Sequence, residues 1–176
     1  MAAIPLKLKG IRIVNTRAIE QAGVLDDLLR AHGAEPLSYP CIEIRPTEET
    51  DQLDASLRAL ANGVYDWLVI TSPYTVLAIH ARLEALNMKL PTGKFQVAAV
   101  GPIAAQQVRQ ILGLRVHVLP KGFVADALID ALPVAEGTRV LLPEEAMESP
   151  ILENGLRARG AKVDAMVAYE KAIGTG

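Results

Sequence analysis

A single cysteine, Cys41, stands in 176 residues. It has no internal partner, so no disulfide framework holds the chain and nothing calls for an oxidising compartment. A basic excess is missing too: 18 Lys and Arg face 20 Asp and Glu, for a formal net charge of −2 at pH 7. The cations are scattered singly, without the massed stripe that follows a phosphate backbone, so no nucleic-acid partner is expected. No apolar run approaches the roughly 18 residues of a membrane span. The opening MAAIPLKLKG lacks the long apolar core of a signal peptide. These absences lead to the expectation of a soluble, cytoplasmic protein with no membrane partner.

Familiar site motifs are also lacking. VAAVGPIAA has one glycine, so no G-x-G-x-x-G follows a strand, and there is no G-x-x-x-x-G-K-[ST] phosphate loop. The strand ends carry no aspartate cluster of the kind that holds magnesium. His32, His80 and His117 stand alone, no cysteine–histidine pair is near in sequence, and there is no G-x-S-x-G elbow. No metal and no organic cofactor is expected.

What is present is an alternation of short β-rich runs with amphipathic helical runs, in a chain that is 51% hydrophobic. Strands are predicted at Ile11–Asn15, Pro36–Tyr39, Cys41–Arg45, Trp67–Thr71, Gln96–Val100, Val116–Leu119, Arg139–Leu142 and Val163–Tyr169. Leu25, Leu28, Leu29 and His32 recur at helical spacing before Gly33, and Leu53, Leu57 and Leu60 do so after a potential Thr50 cap. Ser72-Pro73 and Ser149-Pro150 open further helices, and Glu144 to Glu148 read as a loop. This pattern predicts an α/β fold, a doubly wound parallel sheet with helices on both faces. Residues 41–168 make one complete, flavodoxin-like unit. Residues 1–40 form the opening β-α-β of a second, incomplete α/β domain, and 169–176 form a return linker. So few strands cannot bury Ile11, Ile13, Leu25, Leu28 and Leu29, so the expectation is self-association through that unit or a loosely ordered unit. One internal echo, LRAHGAE against LRARGAK, is consistent with two similar halves and equally with reused helix-stop punctuation.

In an open parallel sheet, ligands sit beyond the carboxyl ends of the strands. The stretch DWLVITSP delivers Thr71 and Ser72 to such an end, and Gly101-Pro102 repeats the arrangement without a hydroxyl. Both fall at helix N-termini, where free N–H groups and the helix dipole favour an anion. Ser72 can equally be a plain N-cap, a role on the order of 1 kcal/mol. What remains is a site of hydroxyls, helix N-termini and a few cations, suited to an anionic organic ligand.

Several segments in order resemble one family, the uroporphyrinogen-III synthases. They are VNTR (14–17), YPCIEI (39–44), DWLVITSP (66–73), AAVGP (98–102), GLRVHVLP (113–120), ADAL (125–128), RVLLP (139–143) and VDAMVAYE (163–170). The resemblance implies two α/β domains, the second inserted into the first after its opening β-α-β, with the product cleft between them. It implies cyclisation of hydroxymethylbilane, a linear tetrapyrrole, to uroporphyrinogen III with inversion of ring D, by positioning rather than by a strong acid or base. Thr71, Ser72 and Gly101 would bind the substrate, Arg17 would pair with one of its carboxylates, and Tyr169 would be the proton donor to the departing hydroxyl. Tyr169 can equally be a packing residue. The family's chain continues past the tyrosine strand to finish its first domain, so this stretch is expected to be inactive alone. Ala104, Val124 and Glu144-Glu145 depart from the family's usual residues, and acids after LLP would repel a polycarboxylate. These departures leave open an alternative: a non-catalytic module of the same fold that senses an anionic small molecule.

Overall fold

The computed structural model describes residues 7–122 and 124–174. It divides into two compact units, one running up to Arg45 and including the residues from Lys171, the other spanning Pro46–Glu170.

The first unit holds β1 (Arg12–Asn15), α1 (Ile19–Ala31) and β2 (Glu35–Ser38), with β1 and β2 parallel and Val14 opposite Leu37. Its turn from strand to helix is clasped by a side chain. Buried Asn15 donates through Nδ2 to the Ala22 carbonyl and to Asp26 Oδ1, and its own Oδ1 accepts the Arg17 N–H. Two strands and one helix leave much apolar surface open: Ile11, Val14, Val24 and Leu28 are each about half exposed or more. Ile13, Leu25 and Leu29 are half-buried.

β3 (Ile42–Pro46) and β7 (Lys162–Ile173) are neighbours in the main sheet, and the Gly174 N–H donates to the Cys41 carbonyl, so β3 starts where β7 ends. Wholly within the second unit lie α2 (Asp51–Ala61), β4 (Trp67–Ile70), α3 (Pro73–Ala85), β5 (Gln96–Ala99), α4 (Pro102–Ile111), α5 (Ala125–Ala131), β6 (Arg139–Glu145) and α6 (Ile151–Ala158). All four residues of β4, WLVI, are buried, as expected of a central parallel strand covered on both faces. Trp67, Val69, Val140 and Leu142 cluster with Leu128 of α5, Leu132 just past its end, and Leu152 and Leu156 of α6. On α2, Leu53, Leu57 and Leu60 are fully buried along one stripe, each contributing about 2 kcal/mol of burial.

The strand order is β3-β7-β6-β4-β5. It corrects the flavodoxin-like expectation, which places the third strand of the unit next to the first. Val116–Leu119 is reduced to a single parallel bridge, Val118 to Ala98, outside β5. From β4 the chain therefore steps outward through β5 to that edge and then returns to lay β6 on the other side of β4. The direction of winding reverses between β4 and β6.

Other differences are local. β6 continues through Glu145 instead of ending at Leu142, because β7 pairs with it as far as Tyr169, past an irregularity at Glu144–Glu145. Thr50 and Pro150 occupy N-cap positions without a side-chain cap, whereas Ser72 accepts the Tyr74 N–H at 3.1 Å. Among the described residues no helix is long and apolar enough to cross a membrane.

Candidate functional site

A doubly wound sheet leaves a crevice at its carboxyl edge where the winding reverses, because the connections leave in opposite directions there. In the second unit that point lies between the ends of β4 and β6. β4 and β5 are in register with Trp67 opposite Gln96, and Ser72 and Gly101 each stand five residues further on. The N-termini of α3 and α4 therefore emerge side by side. On the other flank Leu68 lies opposite Leu141, with Thr71 and Glu144 each three residues further on.

The two helix starts differ in how they are made. Ser72 is an extended residue whose hydroxyl caps α3, with Pro73 filling the first turn. Gly101 has φ 86° and ψ 155°, a region open in practice to glycine alone, and has no side chain to cap α4. The charge pattern separates these helices from others in the unit. Asp51 and Asp54 occupy the first turn of α2, Asp126 that of α5 and Glu153 that of α6, but α3 and α4 have no acid in theirs. Their positive ends are left uncompensated by acidic side chains.

Buried polar atoms gather at the same edge. Thr71 Oγ1, Thr75 Oγ1 and Glu144 Oε1 have no hydrogen-bond partner. An unmet buried polar group costs roughly 1–3 kcal/mol, so three of them at a sheet's carboxyl edge suit groups that await a ligand. Thr75 lies in the first turn of α3 and is wholly buried. Tyr169 of β7 is 3% exposed and packs its ring against Tyr74, with centroids 5.7 Å apart at 49°.

The structure thus brings Thr71, Ser72 and Gly101 to one edge and joins Tyr169 to it through Tyr74. Arg17 is exposed and lies in the first unit. Tyr74 and Thr75 were not singled out from the sequence. Their positions two and three residues past the capping serine, in a first turn free of acids, were the available signal. Among the described residues no group of three or more His, Cys, Asp and Glu side chains is placed to hold a metal.

Glu144 is not the surface charge its sequence position suggests. It is 8% exposed. Burial, then the neighbouring Glu148 and Glu153, push its carboxyl from the ordinary 4.5 up to about 7. The folded chain therefore keeps a proton that the unfolded chain releases near 4.5. The stability this adds is complete below that pH and is lost as pH rises through 7. Glu144→Gln should match the parent near pH 5 but exceed it at pH 8 by about 1–2 kcal/mol, allowing for solvent screening at an edge. Urea denaturation at the two pH values measures this.

Fold and site define a class: an open α/β protein with two acid-free helix N-termini at the carboxyl edge of its sheet, where the winding reverses. Comparison with known proteins then identifies the family. The model for HEM4, uroporphyrinogen-III synthase HemD, matches residues 23–175, and the chain belongs to that family. It is 32% identical over 165 residues to the uroporphyrinogen-III synthase of Synechococcus elongatus, covering 93% of this chain and 61% of that protein. It is 29% identical to the porphyrin biosynthesis protein HemD of Ruminiclostridium josui, covering 92% of this chain and 32% of that one. A crystal structure of mutant uroporphyrinogen III synthase from the extremely thermophilic bacterium Thermus thermophilus shares the fold with a TM-score of 0.72 at 24% identity, over 94% of this chain and 64% of that one. The wild-type Thermus structure gives 0.61 at 26% identity, over 94% and 63%. The chain thus spans about three fifths of the length of the Synechococcus and Thermus proteins.

Proposed function

We propose that this chain takes part in the cyclisation of hydroxymethylbilane to uroporphyrinogen III, with its carboxyl edge holding carboxylates of the linear tetrapyrrole. The observation that carries this reading is the pair of acid-free helix N-termini at Ser72 and Gly101, with the unpartnered Thr71 Oγ1 beside them. The chemistry asks for little more. A pyrrole nitrogen lone pair expels the substrate's hydroxyl, and selectivity comes from holding the chain so that the substituted carbon of ring D is attacked. Positioning can supply several kcal/mol of that barrier. Backbone N–H groups bind carboxylates without a basic patch. In the two-domain reading the second unit is the inserted domain, and Arg17 of the first is a candidate partner for a substrate carboxylate. The test is the isomer ratio from hydroxymethylbilane with the full-length protein. An excess of isomer III over the isomer I that forms spontaneously is expected. Isomer I alone removes the enzymatic reading and leaves the ligand-binding module.

Tyr169 is the proposed proton donor to the departing hydroxyl. Tyr169→Phe keeps the ring packing on Tyr74, so it should lower kcat about 10- to 100-fold with KM little changed. An unchanged kcat in stopped-time assays assigns the tyrosine to packing.

We also propose self-association through the first unit, supported by the open apolar side chains Val14, Val24 and Leu28. Sedimentation velocity should then show concentration-dependent dimers of the 176-residue chain, and Val24→Asp should return monomers.

A further inference from the structure

Glu144 occupies the reversal point of the sheet, where a crevice is geometrically required. Strand alternation sets it on the face of β6 that carries Val140 and Leu142, and Thr71 follows directly on Ile70, the last residue of β4. Both stand three residues past the last paired residues of β4 and β6, Leu68 and Leu141, at the carboxyl ends of the two strands. Each has a buried oxygen with no partner, Thr71 Oγ1 and Glu144 Oε1. On the other flank Glu144 faces Val167 of β7, which brings no charge. The acids nearest it are Glu145 on the same strand, Glu148 in the following turn and Glu153 in the first turn of α6. Glu153 is occupied by Arg157 at 2.6 Å. Among the described residues no ion pair includes Glu144.

A carboxyl group in that setting has two ways to be satisfied. As a carboxylate it needs a positive partner, and among the described residues no ion pair supplies one, while the charges that act on it, Glu148 and Glu153, are acids. As a carboxylic acid it has an O–H to donate, and its natural acceptor is another carboxylate. We propose that Glu144 is a ligand-binding residue whose protonated carboxyl donates a hydrogen bond to one carboxylate of the bound tetrapyrrole, beside the Thr71 hydroxyl. An acid placed against a polycarboxylate then becomes a contact rather than a repulsion, provided that binding and protonation go together. Above neutrality the ionised Glu144 must take a proton from solvent as the ligand arrives. This inference rests on the tetrapyrrole reading above and adds a proton to it. It accords with the raised titration of this group, which keeps the proton available near neutral pH.

The experiment is calorimetric titration of the 176-residue chain with uroporphyrin III, a stable octacarboxylate, from pH 6 to pH 9. Two buffers of different ionisation heat count the protons taken up. For the parent, affinity should be level below pH 7 and then fall about tenfold per pH unit, with uptake approaching one proton. Glu144→Gln, which keeps a donor and the same shape, should bind at every pH with neither the slope nor the proton uptake. That variant retains His32, His80 and His117, so an equal slope in both proteins assigns the proton elsewhere and overturns the inference while leaving the tetrapyrrole reading intact. No binding of uroporphyrin III by either protein at any pH overturns both. If Glu144→Gln unfolds, infrared titration of the carboxylic-acid C=O band in the parent decides. The band should persist to higher pH when uroporphyrin III is bound, and a band unmoved by the ligand overturns the inference.

Discussion

Gly101→Val is expected to weaken uroporphyrin III binding about tenfold or more and to lower stability by about 1–3 kcal/mol. The cause is the backbone. At φ 86° and ψ 155° a β-branched residue is strained whatever the room around it. A Cβ at this position would meet no atom within 4 Å, so a steric clash is not the reason. The strain relaxes only if the first turn of α4 moves, and its N–H groups then leave the edge they share with α3. Titration of the ligand together with thermal denaturation tests this. Full affinity in a destabilised Gly101→Val protein would show that the start of α4 is not an anion contact.

Arg82→Ala should be the most damaging change away from the site. Arg82 of α3 makes a two-pronged ion pair with Asp54 of α2, at 2.8 and 2.7 Å. Asp54 is 8% exposed. Removing the arginine leaves its charge buried and unpaired, at about 3 kcal/mol. The lower end of the usual range applies, because the Arg82 side chain keeps 27% of its surface in solvent. Asp54→Ala should cost less, about 1–2 kcal/mol, since a freed Arg82 can turn to water. The hydrogen bonds from Arg82 hold the Asp54 carboxyl below its ordinary value, with burial opposing. Its contribution is therefore present above the unfolded value of about 3.9 and is lost as pH falls through the lower folded one. Chemical denaturation from pH 3 to pH 7 should show that acid-side loss in the parent and its absence in Asp54→Ala. Equal costs for the two variants would place the pair outside the low-dielectric interior.

Asp54 and Glu144 thus act on stability from opposite ends of the pH scale. One loses its contribution in acid because hydrogen bonds from Arg82 hold its carboxyl low, the other as pH rises through about 7 because burial holds its carboxyl high. What separates them is a partner. Asp54 has a guanidinium within 3 Å, whereas Glu144 faces other acids and keeps its proton. The second arrangement is costly for an unliganded protein and is useful only where something arrives to accept that proton's hydrogen bond.

Much of the scaffold was legible along the chain. The leucines of α2 at helical spacing, the all-apolar WLVI of β4 and the Ser72 cap are local features, set by periodicity and by the backbone needs of a helix end. The family segments carried the positions of Thr71, Ser72, Gly101 and Tyr169 in the same way. The strand order was not legible, because it depends on which edge of the sheet each strand returns to. A segment as short as Val116–Leu119 makes a central strand or a single edge bridge according to that choice alone. The extension of β6 through Glu145 was hidden for a related reason: Glu144 and Glu145 have little intrinsic preference for a strand, and pairing with β7 overrides it.

The sequence by itself determined the alternation of elements, the hydroxyls and glycine that end two strands, and the lack of strong acids or bases among them. Only the tertiary structure decided that β4 and β6 flank the reversal of the sheet. That neighbourhood makes Glu144 a buried acid at the end of a strand instead of a solvated charge in a loop. The reason is physical: a residue's type fixes which charges and hydrogen bonds are available to it. Which of them it uses depends on how much water and which partners the surrounding chain leaves within a few ångströms.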